Sequence, residues 1–345
     1  MMFDLSTDEK QLRARISNIL KELPRNNQLS GEQLSGDMFI EARNRGLLRE
    51  QSPADKGFSA VLIAEELAAS DAGLSLIFAN NYLCERAAGL SSNKELQKKV
   101  ETYLVDGIRP LDMVFLWPQS KESRSEIDWN KIRVEGALAI GSGSAKWCLT
   151  AASVKRSAGH KESALILIER AGKEVEIEAM PTRSIRTDQM TFSRLKINKT
   201  LAPRDLICLF HDSAIFETAI NKLACERTLI FGASMLGLAR AAFEYALNYS
   251  SERNTFGKPL IQHQAIALKL AEMATAIEAA RLVLWEASSS EVANSEQAGD
   301  VWNYCKDVAI NIGVESVQVL AGHGYIEDHP LEKYVRDMNL LRMAH

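Results

Sequence analysis

The chain has 345 residues, 46% of them hydrophobic, which is enough to bury a sizeable core. Its 41 lysines and arginines against 45 aspartates and glutamates leave a formal charge of -4, which excludes a broad electrostatic pull toward nucleic acid or an anionic membrane and leaves a small organic ligand as the expected partner. Cys84, Cys148, Cys208, Cys225 and Cys305 are scattered, with no C-x-x-C pair and no clustered histidines, which argues against a disulfide scaffold or a zinc site.

The first residues lack the apolar stretch of a secretory signal, and no run approaches the roughly 18 apolar residues of a membrane span, so a cytoplasmic, soluble protein is expected. Ser6-Thr7-Asp8-Glu9 reads as a helix start, because a hydroxyl followed by carboxylates satisfies free backbone N–H groups and complements the helix dipole. Leu12, Ile16 and Leu20, then Ala60, Ile63 and Leu67, step with a 3.6-residue period, so residues 1–110 are expected to form a helical domain. From Asp112 the texture changes to short β-branched, partly alternating runs such as 132–134, 164–168, 175–177 and 192–197, which predict a β domain over 111–213. Gly141-Ser142-Gly143-Ser144 lacks the Gly-Lys-Ser/Thr of a phosphate loop and reads as a turn.

Long helices return over 214–345. Ile266, Leu270, Met273, Ile277, Ala280 and Leu284 line one helix face, and Val301, Cys305, Val308 and Ile312 line the next. Such faces need one another, and short joins suit an antiparallel bundle. The fold class expected is mainly α with a central β domain.

Two segments of this last region are far more specific than the pattern of elements. The first is Arg253-Asn254-Thr255-Phe256-Gly257-Lys258-Pro259-Leu260, followed by Gln264 and by Leu270-Ala271-Glu272-Met273-Ala274. The second is Gln318-Val319-Leu320-Ala321-Gly322-His323-Gly324-Tyr325, continuing to Pro330-Leu331-Glu332-Lys333 and Arg336-Asp337. Together they resemble the C-terminal domain of the acyl-CoA dehydrogenase family, the FAD-dependent enzymes that remove hydrogen from carbons 2 and 3 of an acyl-CoA. Ala64-Glu65-Glu66-Leu67-Ala68 with Asp71-Ala72-Gly73 is similar to the family's E-E-L-A-x-x-D-A-S pattern.

The resemblance implies an N-terminal helical domain, a middle β-barrel-like domain and a C-terminal four-helix bundle. It implies FAD as cofactor, held partly across a subunit interface by Arg253, Thr255, Phe256, Gln264, Gln318 and Gly322. The residue chemistry agrees, since Arg253 offers a fixed fork of donors to a pyrophosphate. Phe256 offers a face for the flavin, and the glycines permit close backbone approach to the adenosine.

Other parts depart from the family. The catalytic carboxylate that most members carry in E-G-T, a few residues past R-D, would fall at His345. Members that place the base on the first bundle helix, before an arginine, match Glu226-Arg227. Glu226 shares a helix face with Ile230, Ala233 and Gly237, which suggests a raised pKa and room for a thioester. The plain alternative is a solvated glutamate paired with Lys222. Arg227 is the matched substrate-side residue. Where members have a T-E-P-x-A-G-S-D loop, this chain has Phe115-Leu116-Trp117-Pro118-Gln119-Ser120-Lys121. Cys148 falls at the flavin-stacking tryptophan unless Trp147 shifts to fill it, and Thr150 is retained.

A well-kept C-terminal half beside an altered middle domain suggests one subunit of an α2β2 acyl-CoA dehydrogenase that completes the FAD site of a related chain. Electron-transferring flavoprotein is the acceptor the family implies. A homo-oligomeric enzyme using Glu226, or a flavin-free scaffold, are the other readings.

Overall fold

A computed structural model of the chain describes residues 5–22, 56–106, 113–118, 126–128, 131–140, 145–155, 161–169, 175–179, 192–200, 206–210, 212–290 and 294–344. The first helices are α1 (Thr7–Glu22), α2 (Lys56–Ser70), α3 (Ala72–Leu90) and α4 (Lys94–Asp106). Helix α1 begins with a reciprocal cap. The Glu9 amide donates to Ser6 Oγ at 3.3 Å, and the Ser6 amide donates to the Glu9 carboxylate at 2.6 Å. Ile16 and Leu20 of its expected face are buried. Helix α3 starts on Asp71, whose carboxylate accepts from the amides of Gly73 and Leu74 at 2.7 and 3.2 Å. It is buried almost all round, as a helix at the centre of a core must be.

Strands β1 (Met113–Pro118), β2 (Glu126–Asp128), β3 (Lys131–Ile140), β4 (Trp147–Lys155), β5 (Lys161–Glu169), β6 (Val175–Ala179), β7 (Phe192–Thr200) and β8 (Leu206–Phe210) follow. They form one sheet in the order β6-β7-β3-β1-β4-β5-β8, with β2 pairing β3 and β4. The two-residue period splits the sheet between two cores. Phe115, Trp147, Leu149, Leu165 and Leu167 join the core built by the helices, while Val114, Leu116, Cys148, Ala164 and Ile166 belong to a second cluster with Ile197 of β7. Asn80 of α3 fastens helix to sheet: its amide donates to the Met113 carbonyl and its oxygen accepts from the Phe115 amide, both at 2.9 Å. The stretch aligned with the family's flavin loop is therefore strand β1 as far as Pro118. Gln119, Ser120, Lys121 and the turn at 141–144 lie outside the described residues.

Helices α5 (Ser213–Glu252), α6 (Gln264–Ser289), α7 (Ser295–Leu320) and α8 (Leu331–Ala344) complete the chain, with a small hairpin, β9 (Asn254–Thr255) and β10 (Lys258–Pro259), between α5 and α6. Leu270, Met273, Ile277, Ala280 and Leu284 are buried, as the spacing requires. Helix α5 is the axis of the assembly and packs against α2, α3, α6, α7 and α8. Its approach to α2 is very close at Gly237, where a Cβ would lie 2.3 Å from the Glu65 carbonyl oxygen.

A buried ion network ties four helices together. Arg240 of α5 grips both oxygens of Glu66 at 2.8 and 2.9 Å, Arg13 of α1 adds a bond at 2.5 Å, and Arg281 of α6 donates to Glu65 at 2.9 Å. Burial alone would push the Glu66 carboxyl up, but Arg240 and Arg13 hold it below its ordinary range. At the other end, Lys333 of α8 bonds Asp337 at 2.7 Å and lies 3.6 Å from Asp71. Asp337 has no exposed surface and burial pushes it up to about 7, against the pull of Lys333. Among the described residues no helix is long and apolar enough to cross a membrane, and no group of three or more histidines, cysteines and acids is placed to hold a metal ion.

Candidate active site

The two C-terminal motifs meet at one end of the bundle. Helix α5 ends when the Arg253 amide donates to the Tyr249 carbonyl at 2.8 Å. The chain then turns through the hairpin, with Phe256 at φ +49° and Gly257 at φ +81°. A left-handed phenylalanine is uncommon and strained, which marks this turn as a candidate functional feature. Its ring is 98% exposed. Arg253 and Gln264 are exposed beside it, and Thr255 is half-buried with its hydroxyl 3.2 Å from His263 Nε2.

The second motif arrives on α7 and the 3-10 turn Ala321–Tyr325. Gln318 is exposed, and its amide donates to the Tyr325 hydroxyl at 3.4 Å. The two motif glycines differ. A Cβ on Gly322 would meet nothing within 4 Å, so this backbone is open to a ligand, whereas one on Gly324 would lie 2.6 Å from the Val317 carbonyl. Gly324 is thus required by the packing of its own turn, not by an adenosine. A 310 Å³ cavity adjoins the turn, lined by Val314, Val317, Gln318, Tyr325 and Val335 among others. An exposed guanidinium, a projecting aromatic ring, two exposed amides and an open glycine backbone form a donor set that fits a dinucleotide approaching from outside the chain.

Glu226 sits elsewhere, on α5 facing α3. Arg86 closes on its two oxygens at 2.6 and 3.0 Å, and the Tyr82 hydroxyl donates to it at 3.1 Å. The bond to Glu226 raises the Arg86 pKa despite partial burial, and burial together with the Glu226 charge raises that of Tyr82. The ion pair anticipated with Lys222 is made by Arg86 instead. The small-residue stripe leaves no space for a thioester: Ile230 and Ala233 are buried, and the gap at Gly237 is filled by the α2 backbone. Arg227 turns away to another side of α5, buried with its guanidinium 4.7 Å from the Phe231 ring, and burial lowers its pKa to about 10. The structure thus does not gather Glu226 and Arg227 into one site.

In the sheet, Thr150 and Cys148 are fully buried on one side of β4. Thr150 Oγ lies 3.3 Å from the Ala151 carbonyl and 3.5 Å from that of Leu116. Trp147 points to the opposite side, buried under α4 with the Lys99 ammonium 3.7 Å from its ring and Tyr103 beside it. It does not shift register into the Cys148 position. Within this chain neither Cys148 nor Thr150 presents a face to a flavin. His345 lies outside the described residues.

Residues 216–345 match the family model described as "Acyl-CoA dehydrogenase, C-terminal domain". The C-terminal part of the chain is thus similar to the acyl-CoA dehydrogenase family. The chain is 38% identical over 131 residues to the cyclohexane-1-carbonyl-CoA dehydrogenase of Geobacter metallireducens, covering 37% of this chain and 34% of that protein. It is 29% identical over 235 residues to the benzylmalonyl-CoA dehydrogenase of Aromatoleum aromaticum, covering 64% of this chain and 60% of that one. These matches therefore span about a third and three fifths of the relatives' lengths. In fold it is similar to the butyryl-CoA dehydrogenase of Megasphaera elsdenii, with a TM-score of 0.79, 20% identity and coverage of 99% and 95%. It is also similar to the ChsE4-ChsE5 complex of Mycobacterium tuberculosis, with a TM-score of 0.80, 17% identity and coverage of 100% and 94%. FAD is the cofactor of this family.

Sequence reasoning missed Tyr82 and Arg86, which lie i and i+4 on α3 but gain meaning only from the way α3 packs on α5. It also passed over Tyr245, Tyr249 and His329. The recurrence of tyrosines one turn apart just before Arg253 was the available signal.

Proposed function

We propose that this chain is a subunit of a flavin-dependent acyl-CoA dehydrogenase that supplies a dinucleotide-binding edge to the site of a neighbouring, related subunit. One contrast carries the reading. Arg253, Phe256, Gln264, Gln318 and Gly322 are presented outward on one edge, while Cys148 and Thr150 of the chain's own middle strand are closed over. When bound, FAD would supply the hydride acceptor for oxidation of carbons 2 and 3 of an acyl-CoA. Arg253 would hold the pyrophosphate by charge-assisted bonds, Gln264 and Gln318 would orient the adjoining polar groups, and Phe256 would shield the ring system from water.

A base needs a carboxylate with a free lone pair near the substrate carbon. Glu226 has an Arg86 fork and a tyrosine hydroxyl on its oxygens, an arrangement suited to joining α3 and α5. A related partner chain would then carry the base. The ChsE4-ChsE5 neighbour, a complex of two named chains, is consistent with such an assembly, as are relatives named for ring-bearing acyl groups. Electron-transferring flavoprotein is the acceptor that goes with this family.

The test is the visible spectrum of the purified protein, alone and co-expressed with a homologous chain encoded beside it. Flavin bound stoichiometrically only in the co-expressed assembly supports the proposal. A full complement of flavin in the chain alone would overturn the requirement for a partner.

A further inference from the structure

The two segments of the binding edge are separated in sequence by α6 and most of α7, and a ligand that spans them needs their spacing fixed to a fraction of an ångström. Two phenol–imidazole pairs cross between them. Tyr245 and Tyr249 lie one turn apart on α5, immediately before Arg253. His323 sits between the two motif glycines, and His329 follows in the same connection to α8. The Tyr245 hydroxyl and His329 Nδ1 are 2.7 Å apart, and the Tyr249 hydroxyl and His323 Nδ1 are 3.3 Å apart.

The rings also touch one another. Ring centroids are 5.6 Å apart for His323 and His329, 5.9 Å for Tyr249 and His323, and 6.0 Å for Tyr249 and His329, two of these three pairs being edge to face. The turn they hold has an intrinsically costly backbone, since Ala321 has φ +51°. Its neighbour Gly324 is pressed against Val317, while Gly322 faces open space.

We propose that this four-ring cluster is a clasp that sets the position of Gly322 relative to Arg253, so that Tyr249 and His323 are positioning residues for the adenosine diphosphate half of the cofactor. The inference rests on the reading of this edge as a dinucleotide site. Because each clasp bond is a single hydrogen bond, its loss should loosen the turn and leave the helices in place.

FAD titrated into the apoprotein, in whatever assembly it is isolated, and followed by flavin fluorescence, decides the matter. His323→Ala and Tyr249→Phe should each weaken FAD binding by about 2- to 12-fold, the range of one hydrogen bond. The melting temperature should stay within about 2 °C of the parent, since the lost bond lies at a partly exposed turn. His323→Asn, which keeps a polar group near the Nδ1 position, should restore most of the affinity. Wild-type affinity in His323→Ala, or equal losses in the alanine and asparagine variants, would overturn the clasp. Arg253→Ala is the control for the underlying reading and should cost roughly 10- to 150-fold. If it weakens binding while the clasp variants do not, only the clasp fails. If neither matters, or the parent binds no FAD, the dinucleotide reading fails with it.

Discussion

The Glu226–Arg86 pair offers a direct way to separate a catalytic carboxylate from a structural one. In Glu226→Gln one carboxylate oxygen becomes an amide nitrogen, which places N–H against one arm of the Arg86 fork. The other arm, at 2.6 or 3.0 Å in the parent, keeps its acceptor. A charge-assisted bond contributes about 1.5–3 kcal/mol. Arg86 is 31% exposed, so screening reduces the expected loss to about 1–2 kcal/mol. For a chain of this size that corresponds to a fall in Tm of about 1–3 °C. Arg86→Gln breaks the same pair and should cost a similar amount, but it leaves the carboxylate intact and freer than before. The two readings therefore predict opposite kinetics. If Glu226 were the base, Glu226→Gln would slow anaerobic flavin reduction by about 10²- to 10⁴-fold while Arg86→Gln would not. If the pair joins α3 to α5, as its geometry favours, both variants lose Tm alike and both reduction rates stay within a few-fold of the parent. The assay is stopped-flow bleaching of the flavin by a panel of acyl-CoA thioesters in the intact assembly, alongside thermal melts. A loss of two orders of magnitude confined to Glu226→Gln would refute the structural assignment. A further variant lacking His345 tests the remaining in-chain candidate.

Asp337 makes the pH dependence of stability specific. Its folded pKa is raised from 3.8 to about 7. The native carboxyl keeps its proton between these values while the unfolded one releases it, so the stability it contributes is full below about 4 and is lost as pH rises toward 7. Relative to the parent, Asp337→Asn should therefore gain unfolding free energy between about pH 4 and 7, by at most about 1.4 kcal/mol per pH unit, and then level off. Equal differences at both ends of that range in urea melts would show that Asp337 is ionised throughout. Two glycines should respond with opposite signs. Gly237→Ala forces a Cβ to 2.3 Å from a carbonyl oxygen of α2, and overpacking of this kind costs about 1–3 kcal/mol. Gly299→Ala meets nothing within 4 Å in α7 and should stabilise by about 0.5–1 kcal/mol through helix propensity. A Tm rise in the first or a fall in the second would contradict the described packing.

The parts of this fold legible in the sequence are those set by local periodicity. The apolar face of α6 and the capping box of α1 depend on residues three or four apart, and both are found where the pattern put them. The runs at 132–134, 164–168, 175–177 and 192–197 lie within strands for the same reason. The segment 113–118 was harder, because alignment with a family loop competed with its own composition. Val114 and Leu116 face one core and Met113 and Phe115 the other, so it reads as a near-continuous apolar run and not as an alternating strand.

The candidate site divides along the same line. Arg253, Phe256, Gln264, Gln318 and Gly322 stood out because they lie in two local motifs, and each is exposed on a turn or near a helix end. The environment of Glu226 was not legible because its partners are long-range. Helical spacing correctly identified its neighbours along α5, but the residues that determine what its carboxylate can do are Tyr82 and Arg86, more than a hundred positions earlier in the chain. The stripe Ile230, Ala233 and Gly237 was read as space for a ligand, and small residues in a helix face serve equally well to admit another helix. The Gly237 contact with Glu65 shows that α2 takes the space. The same helix that carries the ion network to Glu66 therefore also closes the room a thioester would need on this side of α5. That geometry is the physical ground for the proposal that a partner chain carries the base.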